Sequence, residues 1–174
     1  MTGAEVSWPT SHALRSARLD LEPLRLEHAD EMAALLDDAA LHVFTRGRPS
    51  TRAELSAQYR RQVLGRSPDG SQCWLNWVIR SRADGQATGT VQATVVSEAS
   101  SLIAELAWVV AVPFQRLGYA REGALVVRTW LQQQGVELVR ANVHPDHQAS
   151  QGVARALGMS PTDCVIDAET RWQS

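Results

Sequence analysis

The chain has 174 residues and a mass of 19.1 kDa; 44% of the residues are hydrophobic, 21% are charged, and the mean hydropathy is −0.21. These values fit one globular domain with no second independent core expected, and they exclude a disordered chain; no apolar run approaches the ~20 residues of a membrane span. The net charge of −2 leaves no footprint for a nucleic-acid backbone or an anionic membrane, so neither partner is expected.

All 17 basic residues are arginine, which rules out a P-loop lysine, a pyridoxal Schiff base and any lysine nucleophile. Two cysteines, Cys73 and Cys164, make no disulfide framework and are expected as reduced thiols. Residues 1–10 show no basic start followed by an apolar stretch, so no signal peptide is expected and the cytoplasm is the expected compartment.

In chain order, residues 1–16 are polar, contain Pro9 and show no period, which reads as a flexible arm ahead of a domain at 17–174. Residues 18–24, Arg-Leu-Asp-Leu-Glu-Pro-Leu, alternate apolar and charged side chains as a half-buried strand does, with Pro23 as its stop. Ala29, Met32, Ala33 and Leu36 share one helical face, and Asp30 and Glu31 suit the first turn. Thr51 and Glu54 have capping-box spacing, which predicts a second helix fading near Gly65. Residues 67–70 then make a turn.

Strands are predicted at 74–81, 88–97 and 100–112, the first two joined by a hairpin at 82–85. The period changes at Ala120, Ala124, Val127 and Leu131, so 118–134 reads as a helix closed by Gly135. A strand at 137–143, a short helix at 149–157 stopped by Gly158 and a last strand at 165–172 complete an α/β order with a largely antiparallel first half.

The stretch 113–120, Pro-Phe-Gln-Arg-Leu-Gly-Tyr-Ala, lies between a strand and the amphipathic helix. Small residues at 118 and 120 permit close backbone approach, and free N–H groups at a helix start favour a pyrophosphate. The same spacing also serves an ordinary tight turn. Four stretches taken together resemble the GNAT superfamily of acyl-CoA-dependent N-acetyltransferases, and in particular its RimJ/RimL-like branch. They are Glu105-Leu-Ala-Trp108-Val109-Val110, Gln115 to Ala124, Pro145-Asp-His147-Gln-Ala-Ser150, and Leu157-Gly-Met159. The likeness covers about residues 17–172. Gln115, Gly118 and Ala120 match the family's coenzyme A loop, and Leu157-Gly158-Met159 match its Leu-Gly-Phe-like helix end. Arg116 stands where the family commonly has Gly, and His147 where the branch usually has Asn. Ala154 replaces the tyrosine that protonates the leaving thiolate in many relatives, which excludes that acid.

The resemblance implies a single-domain GNAT fold, a mixed and mostly antiparallel sheet of six or seven strands flanked by four helices. It implies an acetyl-CoA cosubstrate bound by Val109, Val110, Gln115, Arg116, Leu117, Gly118, Tyr119, Ala120, His147 and Ser150, with no metal. The reaction expected is direct attack of a primary amine, small or protein N-terminal, in a ternary complex. Glu105 is the expected base, its pKa raised by burial beside Trp108, or else an edge-strand charge. Ser150 is the expected acid, or a hydroxyl that only binds backbone or coenzyme. N–H groups around Val109 and Val110 would form the oxyanion hole if the strand splays.

Trp77 and Trp108 are expected either in the core or as walls of an acceptor pocket. Residues 41–66 hold Arg46, Arg48, Arg52, Arg60, Arg61 and Arg66 against Glu54 alone. They read as a solvated helix face or as a lip where Arg48 or Arg52 clamps an anionic group on the acceptor. His144 and His147 lack a third ligand at suitable spacing, so no metal is expected. A silent acyl-CoA-binding domain is the rival function, and homodimerisation is left open.

Overall fold

The computed structural model describes residues 7–45 and 47–174. Its strands are β1 (Leu14–Arg15), β2 (Leu19–Pro23), β3 (Gln72–Ser81), β4 (Ala87–Glu98), β5 (Ser101–Val110), β6 (Val136–Val143), β7 (Ser160–Ile166) and β8 (Glu169–Gln173). They form one sheet in the order β1-β2-β3-β4-β5-β6-β8-β7, antiparallel except for the β5–β6 pair. The helices are α1 (His28–Leu35), α2 (Arg52–Gln62), α3 (Tyr119–Gln133) and α4 (Gln148–Ala156). The α/β class, the mostly antiparallel sheet and the four helices are as expected, and the sheet has eight strands rather than six or seven.

The period-2 alternation of β3 separates two cores. Cys73, Leu75, Trp77 and Ile79 face α3 and α4, where Ala124, Val127, Trp130, Leu131, Ala154 and Leu157 close the larger core. Val78 faces the other way, with Ala87, against Ala29 and Met32 of α1 and Leu55 and Tyr59 of α2. The predicted capping box is present at the start of α2, with Thr51 and Glu54 exchanging hydrogen bonds.

Three sequence expectations are corrected. Residues 7–16 are not a loose arm: Trp8 packs on the larger core, Pro9 is buried and accepts a hydrogen bond from Cys73 Sγ (3.2 Å), and His12 accepts one from Trp77 Nε1 (2.8 Å). The last predicted strand is a hairpin, β7 and β8, turning at Asp167 and Ala168, both with positive φ. Pro161 and a register irregularity between Pro161 and Val165 hid β7 from a periodicity reading. The strand predicted at 100–112 ends at Val110, because Pro113 starts a short 3-10 turn over Val112–Phe114. Cys73 and Cys164 are free. No helix among the described residues is long and apolar enough to cross a membrane.

Candidate functional site

The site begins where β5 and β6 part. Their parallel ladder stops at the Glu105/Arg140 pair, while β5 continues to Val110 beside β4 and β6 continues to Val143 beside β8. Ala111 N–H donates to the Thr88 carbonyl (2.9 Å), so the neighbouring Gly89/Val110 pair exchanges no hydrogen bonds with β4. Alternate residues turn their polar groups to opposite edges, and Val110 therefore directs its N–H and C=O toward the gap. Gln115 Nε2 donates to that carbonyl (3.0 Å), which leaves the Val110 N–H as the donor facing the splay. Val109 N–H is turned to β4, so of the two expected oxyanion donors the ladder selects Val110.

Gly89 permits this arrangement and was not singled out in the sequence. A Cβ there would lie 2.1 Å from the Val109 carbonyl oxygen and 2.9 Å from Val110 Cα. Only a glycine lets the strands approach so closely.

The connection that follows brings Gln115, Arg116, Leu117, Gly118, Tyr119 and Ala120 together as a cradle at the start of α3. Arg116 (φ 63°) and Gly118 (φ 82°) both take the left-handed conformation, which for Arg116 is uncommon among residues with a Cβ. Gly118 caps α3 without a side-chain hydrogen bond. None of the N–H groups of residues 116–121 meets an acceptor among the described residues. Unpaired N–H groups at a helix start, with the helix dipole behind them, favour an anion. Their fit to a pyrophosphate is supported by the open approach over Gly118, where a Cβ would meet only Arg18 Nη2 at 3.3 Å. Gln115 spends its carboxamide on Val110 and so shapes the loop.

Arg18 braces this cradle, a role that the strand pattern of residues 18–24 does not signal. Its guanidinium donates to the Leu117 carbonyl (2.9 Å), pairs with Glu122 (2.7 Å) and lies 5.0 Å from the centroid of the Tyr119 ring. Partial burial works against the charge of Glu122, but hydrogen bonds from Ser16, the Arg18 N–H and the guanidinium hold its pKa below the ordinary value.

At the far side of the gap, His147 caps α4, its Nδ1 accepting from Ser150 N–H (3.4 Å). Its ring stacks on Phe44 at 4.4 Å, and burial, then the nearby charge of His144, push its pKa down. The half-buried Ser150 hydroxyl has no hydrogen-bond partner among the described residues. Ala154 is fully buried in the larger core. Among the described residues no group of three His, Cys, Asp or Glu side chains is arranged to hold a metal ion.

Glu105 is not buried beside Trp108. On β5, Ala104, Leu106 and Val110 are buried and Glu105, Ala107 and Val109 are exposed, so Trp108 leans on the larger core from the opposite face. The Glu105 carboxylate is 46% exposed and held by Arg171 Nη2 at 3.4 Å. A second carboxylate, Glu169 on β8, escaped the sequence reading because nothing in spacing links it to Glu105. Burial raises its pKa, opposed by the charge of His144 and reinforced by those of Glu105 and Asp167.

The expected acceptor contacts are mostly elsewhere. Trp77 is buried, its ring in the larger core and edge-on to Trp130 at 5.5 Å, and the residue also borders the cavity that reaches Val109. Arg48 is paired with Glu54 (2.6 Å) and Arg52 with Asp30, all on exposed side chains. Arg46 lies outside the described residues.

A family model described as acetyltransferase (GNAT) domain matches residues 18–160. No curated protein sequence matches the chain. Among solved structures, the fold is similar to a RimL ribosomal L7/L12 α-N-protein acetyltransferase in complex with coenzyme A (TM-score 0.75, 14% identity, 93% of this chain and 97% of that one). It is also similar to an acetyl transferase from Salmonella typhimurium that modifies the N-terminal serine of 50S ribosomal subunit protein L7/L12 (0.73, 16%, 91% and 95%). A GNAT-family acetyltransferase from Bacillus anthracis shares the fold as well (0.71, 12%, 92% and 95%). At these identities the likeness is one of fold.

Proposed function

We propose that this chain, which belongs to the GNAT acetyltransferase family, transfers an acetyl group from acetyl-coenzyme A to a primary amine by direct attack in a ternary complex. The observation that carries the reading is the row of unspent N–H groups at 116–121 set beside a strand whose outer edge is open. The acceptor is a small amine or a protein N-terminal amine.

Bound acetyl-coenzyme A supplies an activated thioester. The cradle N–H groups hold its pyrophosphate, and His147 and Ser150 border its sulfur end. The Val110 N–H faces the gap and stabilises the negative charge that gathers on the carbonyl oxygen during attack. Glu105 takes the amine proton, directly or through a water, with Glu169 coupled to it electrostatically. Ser150 donates to the departing sulfur, which as a thiolate needs little assistance.

The test is a panel of amines incubated with acetyl-coenzyme A, read by release of free thiol, alongside Gly118→Val. A β-branched residue at φ 82° is strained and covers the backbone, so coenzyme A binding by calorimetry should be lost while the protein stays folded. Undiminished affinity in folded Gly118→Val would overturn the cradle, and the absence of thiol release with every amine would overturn the transferase.

A further inference from the structure

On the face of the sheet opposite α3, two adjoining cavities of about 310 and 180 Å³ lie between α2 and strands β3 to β5. Both are lined by Gln58, Gln62, Asn76 and Gln92, so they form one groove, and its inner part reaches Val109 at the splay. Gln92 is the Cα partner of both Asn76 on β3 and Ala107 on β5, two positions from Glu105. The groove therefore begins beside the reacting centre and runs away from it along α2.

The lining is unusual in its chemistry. Each carboxamide offers two N–H donors and a carbonyl acceptor, and none of the four makes a side-chain hydrogen bond within the described residues; the neighbouring indole of Trp74, by contrast, is spent on Gln72 at 3.0 Å. Gln58, Gln62 and Asn76 are half-buried, so a ligand that displaces their water must replace its hydrogen bonds. Among the described residues no carboxylate lines either cavity, which leaves a second ammonium group in the groove without a counter-charge. Among the described residues the one arginine in the lining, Arg61, is exposed at the outer part, where water and salt screen it.

We propose that this groove reads a neutral amide on the acceptor, next to the amine that is acetylated, through the carboxamides of Gln58, Gln62, Asn76 and Gln92. An amide carries the same donor and acceptor set as the lining and no charge. This rests on the acetyltransferase reading above, and it replaces the arginine lip as the source of acceptor selectivity.

Glycinamide, glycine and ethylenediamine are matched in size and differ in the group beside the amine. Rates of thiol release, referred to the concentration of free amine, should place glycinamide about tenfold or more above the other two in kcat/KM. Gln92→Leu and Gln58→Leu should each lower the glycinamide value about five- to tenfold, as expected for one or two lost hydrogen bonds, with KM for acetyl-coenzyme A unchanged. Gln92→Glu should turn the preference toward ethylenediamine. The same rank order in every variant, or a preference for glycine abolished by Arg61→Met, would overturn the proposal. Saturation-transfer NMR of the three compounds on coenzyme A-loaded protein separates the two readings. Amide-selective binding without turnover keeps the groove and overturns the transferase, whereas turnover without amide selectivity keeps the transferase and overturns the groove.

Discussion

A methyl group on Gly89 would sit 2.1 Å from the Val109 carbonyl oxygen, against 3.4 Å or more for ordinary contact, so Gly89→Ala must part the strands by more than 1 Å at the mouth of the splay. The obstacle is backbone, which cannot rotate away as a side-chain end does. Overpacking of this kind costs ~1–3 kcal/mol, and for a chain of this size each kcal/mol lowers Tm by about 2–4 °C, giving an expected fall of roughly 2–12 °C. The catalytic effect should be larger than the stability effect. Displacing Val110 by about 1 Å moves the donor that faces the gap, and misplacement on that scale costs on the order of a hundredfold in turnover. Coenzyme A affinity should change by less than about tenfold, because the cradle N–H groups belong to the start of α3 and not to β4. Thermal unfolding, calorimetric titration of coenzyme A and thiol release with one active amine make the three measurements. A Gly89→Ala protein with wild-type Tm and wild-type kcat would show that the close approach of β4 and β5 does not place the donor.

Glu105→Gln should lower kcat by about a hundredfold or more at pH 7 while coenzyme A affinity holds, with the loss shrinking at high pH where the amine is already neutral; a larger loss in Glu169→Gln would move the base to β8. Arg18→Ala removes the brace on Leu117 and Glu122, so KM for acetyl-coenzyme A should rise about tenfold or more with kcat nearly constant. Arg18→Lys keeps the charge without the fork and should recover only part of the affinity, and a coenzyme A Kd equal to wild type in Arg18→Ala would remove the brace from the account. His147 has its folded-state pKa pushed below 6.5, so the native state binds fewer protons than the unfolded one, and its stability contribution is present above pH 6.5 and lost as pH falls toward the folded value. His147→Asn keeps a capping side chain and removes the titration, so denaturation midpoints should fall less steeply than wild type between pH 7 and 5; parallel curves would show that His147 is not the linked group.

Local signals in the sequence carried most of the elements and one half of the site. The 3.6-residue period of Ala120, Ala124, Val127 and Leu131, the Thr51–Glu54 capping box and the Gln115 to Ala120 cradle are each determined within a few consecutive residues, because capping and left-handed turns depend on backbone geometry that neighbours set. The family likeness was legible for the same reason. Missed strands β1 and β7 have weak local pattern and exist through their partners, β2 and β8.

Tertiary structure decided which side chains meet. Alternation along β5 places Glu105 and Trp108 on opposite faces once the strand's register with β4 is fixed, and no spacing rule reveals which face is covered by helices. Of the positive charge counted along residues 41–66, that of Arg52 is answered by Asp30, which lies on a different helix. Likewise Arg18 reaches Glu122 across 104 residues, Glu169 feels Glu105 from another strand, and four carboxamides scattered over α2, β3 and β4 line one groove. Short-range backbone preferences are written residue by residue, whereas charge pairing, burial and the walls of a cavity depend on distances that only the folded sheet brings into being.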